Sequence, residues 1–127
     1  MKTFVVDTNI LLRFLLNDIP KQTEEVKKQI KFAKMGKVKL IIHSVVIFET
    51  IYALNKVYGF SREQIVEGLK KFIAFEYIEV LEREVIQESL DLFLTKNLSF
   101  VDCFLNKLGN KFNGEVLTFD RDLDKLN

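Results

Sequence analysis

Phe4, Val5 and Val6 form an apolar run that stops at three small polar residues, Asp7, Thr8 and Asn9. Aromatic and β-branched residues in succession, without polar alternation, predict a strand covered on both faces, as in a parallel sheet. Asp7 then sits at the carboxyl end of that strand. Open α/β sheets place their ligand crevice at this edge, so an acid there is a site candidate. Thr8 or Asn9 can alternatively cap the following helix, because both side chains accept bonds from free N–H groups. Asp7 itself carries a capping reading beside the functional one.

The rest of the chain supplies more strands and helices. Ile10, Leu11, Phe14 and Leu15 have helical spacing and break near Asn17-Asp18-Ile19-Pro20. Pro20 suits the first turn of a second helix, with Val26, Ile30 and Ala33 on its inner face and Gly36 as its stop. Between Lys21 and Lys39 there are seven lysines and two glutamates. That excess reads first as a solvated helix face and second as a phosphate-contacting surface. Val38 to Ile42 is a second strand, and Ser44 an N-cap for a helix running to about Tyr58. Apolar residues almost surround that helix, which predicts burial, and Glu49 interrupts them. A lone buried carboxylate costs several kcal/mol, so Glu49 there needs a cation, a metal or a proton, unless it escapes to solvent or pairs with a lysine.

His43 is the single histidine and has no Cys or His partner, so it reads as structural. Ser61 and Gln64 form a capping box for the next helix, whose stripe is Ile65, Leu69, Phe72 and Ile73. Tyr77 to Leu81 is a third predicted strand. Six acids stand against Arg83 alone from Glu76 to Asp91. They predict an exposed helix face, with Val85, Ile86, Ser89, Leu90 and Phe93 turned inward. Ser99 caps another helix, placing Asp102 at its third position, where the helix dipole favours a negative charge. Phe100, Phe104, Leu105 and Leu108 are its predicted core face, with Gly109 or Asn110 as its end. Glu115 to Phe119 is a fourth predicted strand, delivering Asp120 to its carboxyl end, and Arg121 to Leu126 is a short final helix.

This alternation predicts one α/β domain over residues 1–127, a sandwich of helices around a central, mainly parallel sheet of four to five strands with right-handed crossovers. A length of 127 residues with 48% hydrophobic content supports a packed core. Net charge is only +1, so a polyanion partner must be met by a local patch. Cys103 is the single cysteine, and neither a signal peptide nor an apolar run of about 18 residues is present. The expectation is a cytoplasmic protein without membrane insertion.

Asp7 and Asp120 follow two strands, Asp102 lies in a first helical turn, and Glu49 lies one to two turns into another helix. In the predicted fold all four can point into one crevice. Four close carboxylates repel unless a divalent cation neutralises them. Oxygen-only ligands suit Mg²⁺ or Mn²⁺, and zinc is disfavoured. A hard cation with positions left for water and phosphate points to phosphodiester hydrolysis. No phosphate-binding glycine loop is present, and Ser44 and Cys103 have no recognisable base partner.

Together, D-T-N (Asp7, Thr8, Asn9), the glutamate within an apolar helix (Glu49), L-S-F-V-D (Asp102) and L-T-F-D-R-D (Asp120) resemble the PIN domain, closest to its small VapC-type toxins. The resemblance spans nearly the whole chain. It implies a Mg²⁺- or Mn²⁺-dependent endoribonuclease, often dimeric, and in the toxin branch neutralised by an antitoxin. Carried over, Asp7, Glu49, Asp102 and Asp120 are the catalytic and metal-site acids, with Thr8, Asn9 and Thr118 as polar supports. Asp122 is the rival to Asp120, which directly follows the predicted strand. The competing readings are a catalytically silent PIN-like module binding RNA or protein, a PIN nuclease in RNA processing without an antitoxin, a DNA-directed nuclease, and a receiver-like phosphoacceptor.

Overall fold

The computed structural model describes residues 1–127. The chain forms two compact units, Met1–Leu81 and Glu82–Asn127. In the first, β1 (Lys2–Val5), β2 (Val38–Ile42) and β3 (Glu79–Val80) make a parallel sheet in the order β1-β2-β3. Lys2 pairs with Val38 and Val5 with Ile41, while Ile42 pairs with Val80. Helices α1 (Thr8–Leu16) and α2 (Pro20–Lys34) connect β1 to β2. Helix α3 (Ser44–Tyr52), a π-helical turn (Ala53–Val57) and α4 (Arg62–Ile73) connect β2 to β3. Parallel neighbours need such crossovers because a tight turn only reverses direction.

The stops and starts follow local chemistry. Pro20 occupies the first turn of α2, and Gly36 leaves that helix with a φ of 75°. Ser61 accepts from the Gln64 N–H while the Gln64 side chain accepts from the Ser61 N–H, completing the expected capping box. The core of this unit holds Leu11, Ile42, Ile47, Leu69, Ile73 and Ile78, all with no measurable exposure. Each such side chain contributes about 1.5–3 kcal/mol by leaving water. Phe14, Phe72 and Phe75 add tilted and edge-on ring contacts at centroid distances of 5.1–6.5 Å.

Three expectations for this unit change. β1 is an edge strand rather than one covered on both faces: Val6 just beyond it is buried, but Val5 is 74% exposed. α3 is buried along one face only, through Val46, Ile47, Thr50 and Ile51. Its cap is His43, whose Nδ1 accepts from the Val45 N–H at 3.1 Å, so the histidine is structural and Ser44 is the first helical residue. Beyond Tyr52 the helix widens into the π turn, where the Tyr58 N–H donates to the Ala53 carbonyl.

The second unit contains α5 (Arg83–Thr95), α6 (Phe100–Lys111) and α7 (Arg121–Asp124). α5 buries the five predicted residues, Val85, Ile86, Ser89, Leu90 and Phe93. α6 starts at Ser99 as expected, but buries Phe100, Cys103, Phe104 and Asn106, leaves Leu105 38% exposed, and runs to Lys111. Phe93 meets Phe100 edge-on at 5.7 Å.

The fourth predicted strand does not form, so the sheet has three strands rather than four or five. Residues 115–119 have no ladder partner. The Asn127 side chain takes that place at one peptide: its Oδ1 accepts from the Val116 N–H at 2.9 Å and its Nδ2 donates to the Val116 carbonyl at 3.0 Å. Leu117 and Phe119 are fully exposed. The apolar content that suggests a strand therefore faces water, because burial and pairing rather than propensity create a strand.

Candidate functional site

Asp7 ends the β1 segment and caps α1 itself, its Oδ1 accepting from the Ile10 N–H at 3.1 Å. The capping expectation for Thr8 or Asn9 is thereby corrected, since Thr8 is already the first residue of the helix. The free N–H groups of the first helical turn need an acceptor, and a carboxylate at the extended cap position supplies one. Asp7 is exposed and its second carboxylate oxygen has no protein partner. Asn9 is also exposed.

One turn of α1 is tied to α3 through a side-chain bond. The Thr8 hydroxyl donates to Oε1 of Glu49 at 3.1 Å, joining residues 41 apart in sequence. Thus the acid at the end of β1 and the acid in α3 are linked through Thr8. Glu49 lies on an exposed stripe with Val45 (51% exposed) and Tyr52 (66% exposed), spaced by four and three residues. The argument that burial forces a cation onto Glu49 fails, because the side chain reaches water. Its case as a ligand rests instead on the bond to the residue beside Asp7.

The π turn begins at Ala53, one turn after Glu49, and the Ala53 N–H donates to the carbonyls of both Glu49 and Thr50. Such widened turns frequently mark functional sites. Nearby, Arg13 of α1 reaches Asp18 at 3.3 Å and donates to the Tyr58 hydroxyl at 3.4 Å. Sequence reading missed Arg13. Its position one turn after Asn9 in an otherwise apolar helix was the available signal.

A groove of about 360 Å³ opens beside Asp7. Its walls include Val5 and Val6 from the β1 segment, Ile10, and Glu25 and Gln29 of α2. Gln29 Oε1 is buried there without a donor. The groove is otherwise apolar.

In the second unit, Asp102 is the third residue of α6 and its N–H donates to the Ser99 hydroxyl at 3.1 Å. Asp120 caps α7, with Oδ1 accepting from Asp122 and Leu123 N–H groups at 2.9 and 3.1 Å. The Asp120 N–H in turn donates to Thr118 Oγ1 at 3.0 Å. Asp122 donates its backbone N–H to this cap and lies in the helix. No group of three or more His, Cys, Asp or Glu side chains stands together as a preformed metal cage. The donor set nevertheless fits a hard divalent cation chemically, since Asp7 and Glu49 each present a carboxylate oxygen without a protein partner.

A parallel three-stranded sheet with helical crossovers and an acid at the end of its first strand defines an α/β protein with its candidate site at the carboxyl edge of the sheet. The chain belongs to the PIN domain family, whose pattern matches residues 4–127. It is similar to the VapC ribonuclease of Aquifex aeolicus (strain VF5), with 28% identity over 123 residues, covering 96% of this chain and 90% of that protein. No solved structure matches. No helix is long and apolar enough to cross a membrane.

Proposed function

We propose that the protein is a Mg²⁺- or Mn²⁺-dependent endoribonuclease, the toxin of a toxin–antitoxin pair. The observation that carries this reading is the Thr8–Glu49 bond, which links the acid-bearing end of β1 to the acid of α3 in a chain of the PIN family. The similarity to a VapC ribonuclease supports RNA as the substrate and an antitoxin as the partner. A homodimer and a cytoplasmic setting belong to the same reading.

Asp7 and Glu49 are the proposed ligands of the first unit, and Asp102 and Asp120 are proposed as the further acids. When bound, the cation supplies a water of lowered pKa and stabilises charge on the phosphoryl oxygens. Asp7 is held in one orientation by the Ile10 N–H, leaving its other oxygen to orient the attacking water or receive its proton. Thr8 fixes the Glu49 carboxylate by donating to one oxygen, so its other oxygen keeps a constant direction. Thr118 braces the backbone at Asp120. Water oxygen bonds to phosphorus as the ester bond to the leaving oxygen breaks, and the leaving group takes a proton from solvent.

Incubating the purified chain with single-stranded RNA and Mg²⁺ or Mn²⁺ tests this. Cleavage lost with EDTA, and lost in Asp7→Asn and Asp102→Asn, is the expected result. Full activity in both variants would sink the assigned acids. A side-by-side single-stranded DNA substrate separates ribonuclease from general nuclease. Coexpression with the product of an adjacent reading frame tests the toxin role, with growth rescue expected.

A further inference from the structure

The exposed side of α2 carries more positive charge than its own structure uses. Lys21, Lys27, Lys28, Lys31, Lys34 and the following Lys37 are all exposed, and none forms an ion pair. Some lysines elsewhere do find acids: Lys39 meets Glu79, Lys71 meets Glu67 and Lys111 meets Glu82. The helix dipole favours cations only in the last turn, which accounts for Lys31 and Lys34. It disfavours Lys21 in the first turn, where no acid is present. Glu24 and Glu25 share this side but are outnumbered.

The arrangement is also directed. Lys21 and Lys28 are seven residues apart and Phe32 follows four later, so they share one row along α2. Lys28 and Lys37 both place their ammonium groups 5.7 Å from the centroid of the Phe32 ring. Neither ammonium is paired with a carboxylate, which leaves both to meet an anion. Glu25, one turn after Lys21 and one turn before Lys28, shares their side and with Gln29 lines the groove that reaches Asp7.

We propose that Lys21, Lys28 and Lys37, organised around Phe32, form a phosphate-tracking strip that leads single-stranded RNA along α2 into the groove ending at Asp7. This rests on the ribonuclease reading for its direction, but binding and cleavage can be measured separately. The strip contacts the sugar-phosphate backbone and therefore contributes affinity with little sequence preference.

The test measures binding of a fluorescent single-stranded RNA in EDTA, where a metal-dependent cut cannot occur, across a salt series. The triple variant Lys21→Gln, Lys28→Gln, Lys37→Gln is compared with Lys56→Gln, Lys70→Gln, Lys71→Gln, which changes net charge equally. Each lost phosphate contact reduces the salt slope by about 0.7 for single strands, so the first triple should flatten it by roughly 2. Its affinity at low salt should fall by about 10-fold or more, while the control stays within about twofold. Circular dichroism melts establish that both variants fold. Equal losses in the two triples, or no loss in the first, overturn the strip. So does equally tight, equally lysine-dependent binding to anionic phospholipid vesicles or an acidic peptide. Lysine-dependent RNA binding by a chain that cuts nothing with Mg²⁺ or Mn²⁺ upholds the strip and defeats the nuclease reading alone.

Discussion

Thr8 and Glu49, 41 residues apart, meet through a 3.1 Å hydrogen bond from hydroxyl to carboxylate. The bond makes Thr8 a structural continuation of Asp7: one residue caps α1, and the next orients the acid of α3. Two weak local signals, a D-T dipeptide and an isolated glutamate, become one arrangement because β1 and β2 run parallel and deliver their following helices to the same edge.

Replacing Thr8 with Val keeps the shape but removes the donor. Because the bond is exposed, the expected loss of stability is only about 0.5–1 kcal/mol. Divalent-cation affinity should fall by about 10-fold or more, as when other partners that orient metal ligands are removed. Thr8→Ser should restore most of it. Calorimetric titration with Mn²⁺ beside thermal melts separates the two effects, and equal cation affinity in Thr8→Val and wild type would count against an orienting role.

The cap made by Asp7 and its proposed catalytic role can be pulled apart by substitution. Asn caps helices about as well as Asp, so Asp7→Asn should melt within about 0.5 kcal/mol of wild type, whereas Asp7→Ala should lose about 1 kcal/mol. RNA cleavage should vanish in both. A variant that cuts RNA normally while melting early would leave Asp7 with its cap alone.

Ser61→Ala should cost about 1 kcal/mol, because both bonds of the capping box are present and α4 carries Ile65, Leu69 and Ile73 into the core. Chemical denaturation measures it, and RNA cleavage per folded molecule should not change.

Asn127→Ala removes the side chain that satisfies both backbone groups of Val116. Hydrogen exchange at the Val116 amide should accelerate, while amides of α5 keep their protection. Unchanged exchange at Val116 would show that the clasp does not hold in solution.

The sequence reading succeeds at many places where a short stretch decides the outcome, although the cap of α3 falls on His43 rather than Ser44. Pro20, Gly36, the Ser61–Gln64 pair and Ser99 all act within one helical turn, and each does what its chemistry predicts. It also places the inward face of α5, where spacing alone sorts Ile86 from Glu88. The misses concern what neighbours supply. Val5 reads as covered until the edge position of β1 is known. Leu117 and Phe119 have strand propensity but no pairing partner. Glu49 reads as buried because its helix is rich in apolar residues, yet Val45 and Tyr52 surface beside it. For the candidate site, the acids and their order can be read from the sequence only as candidates; the Thr8–Glu49 bond cannot be read there, since nothing local links positions 41 apart.

The cap made by Asp7 also bears on how descendants of such a chain should be read. A copy that had abandoned catalysis would still need an acceptor for the Ile10 N–H at the start of α1. Aspartate or asparagine would therefore persist at this position under folding demands alone. Its presence in a relative is poor testimony to activity, whereas Glu49, the proposed ligand of α3, caps no helix and is held in the fold only by the exposed bond from Thr8. The α3 position is the more informative witness.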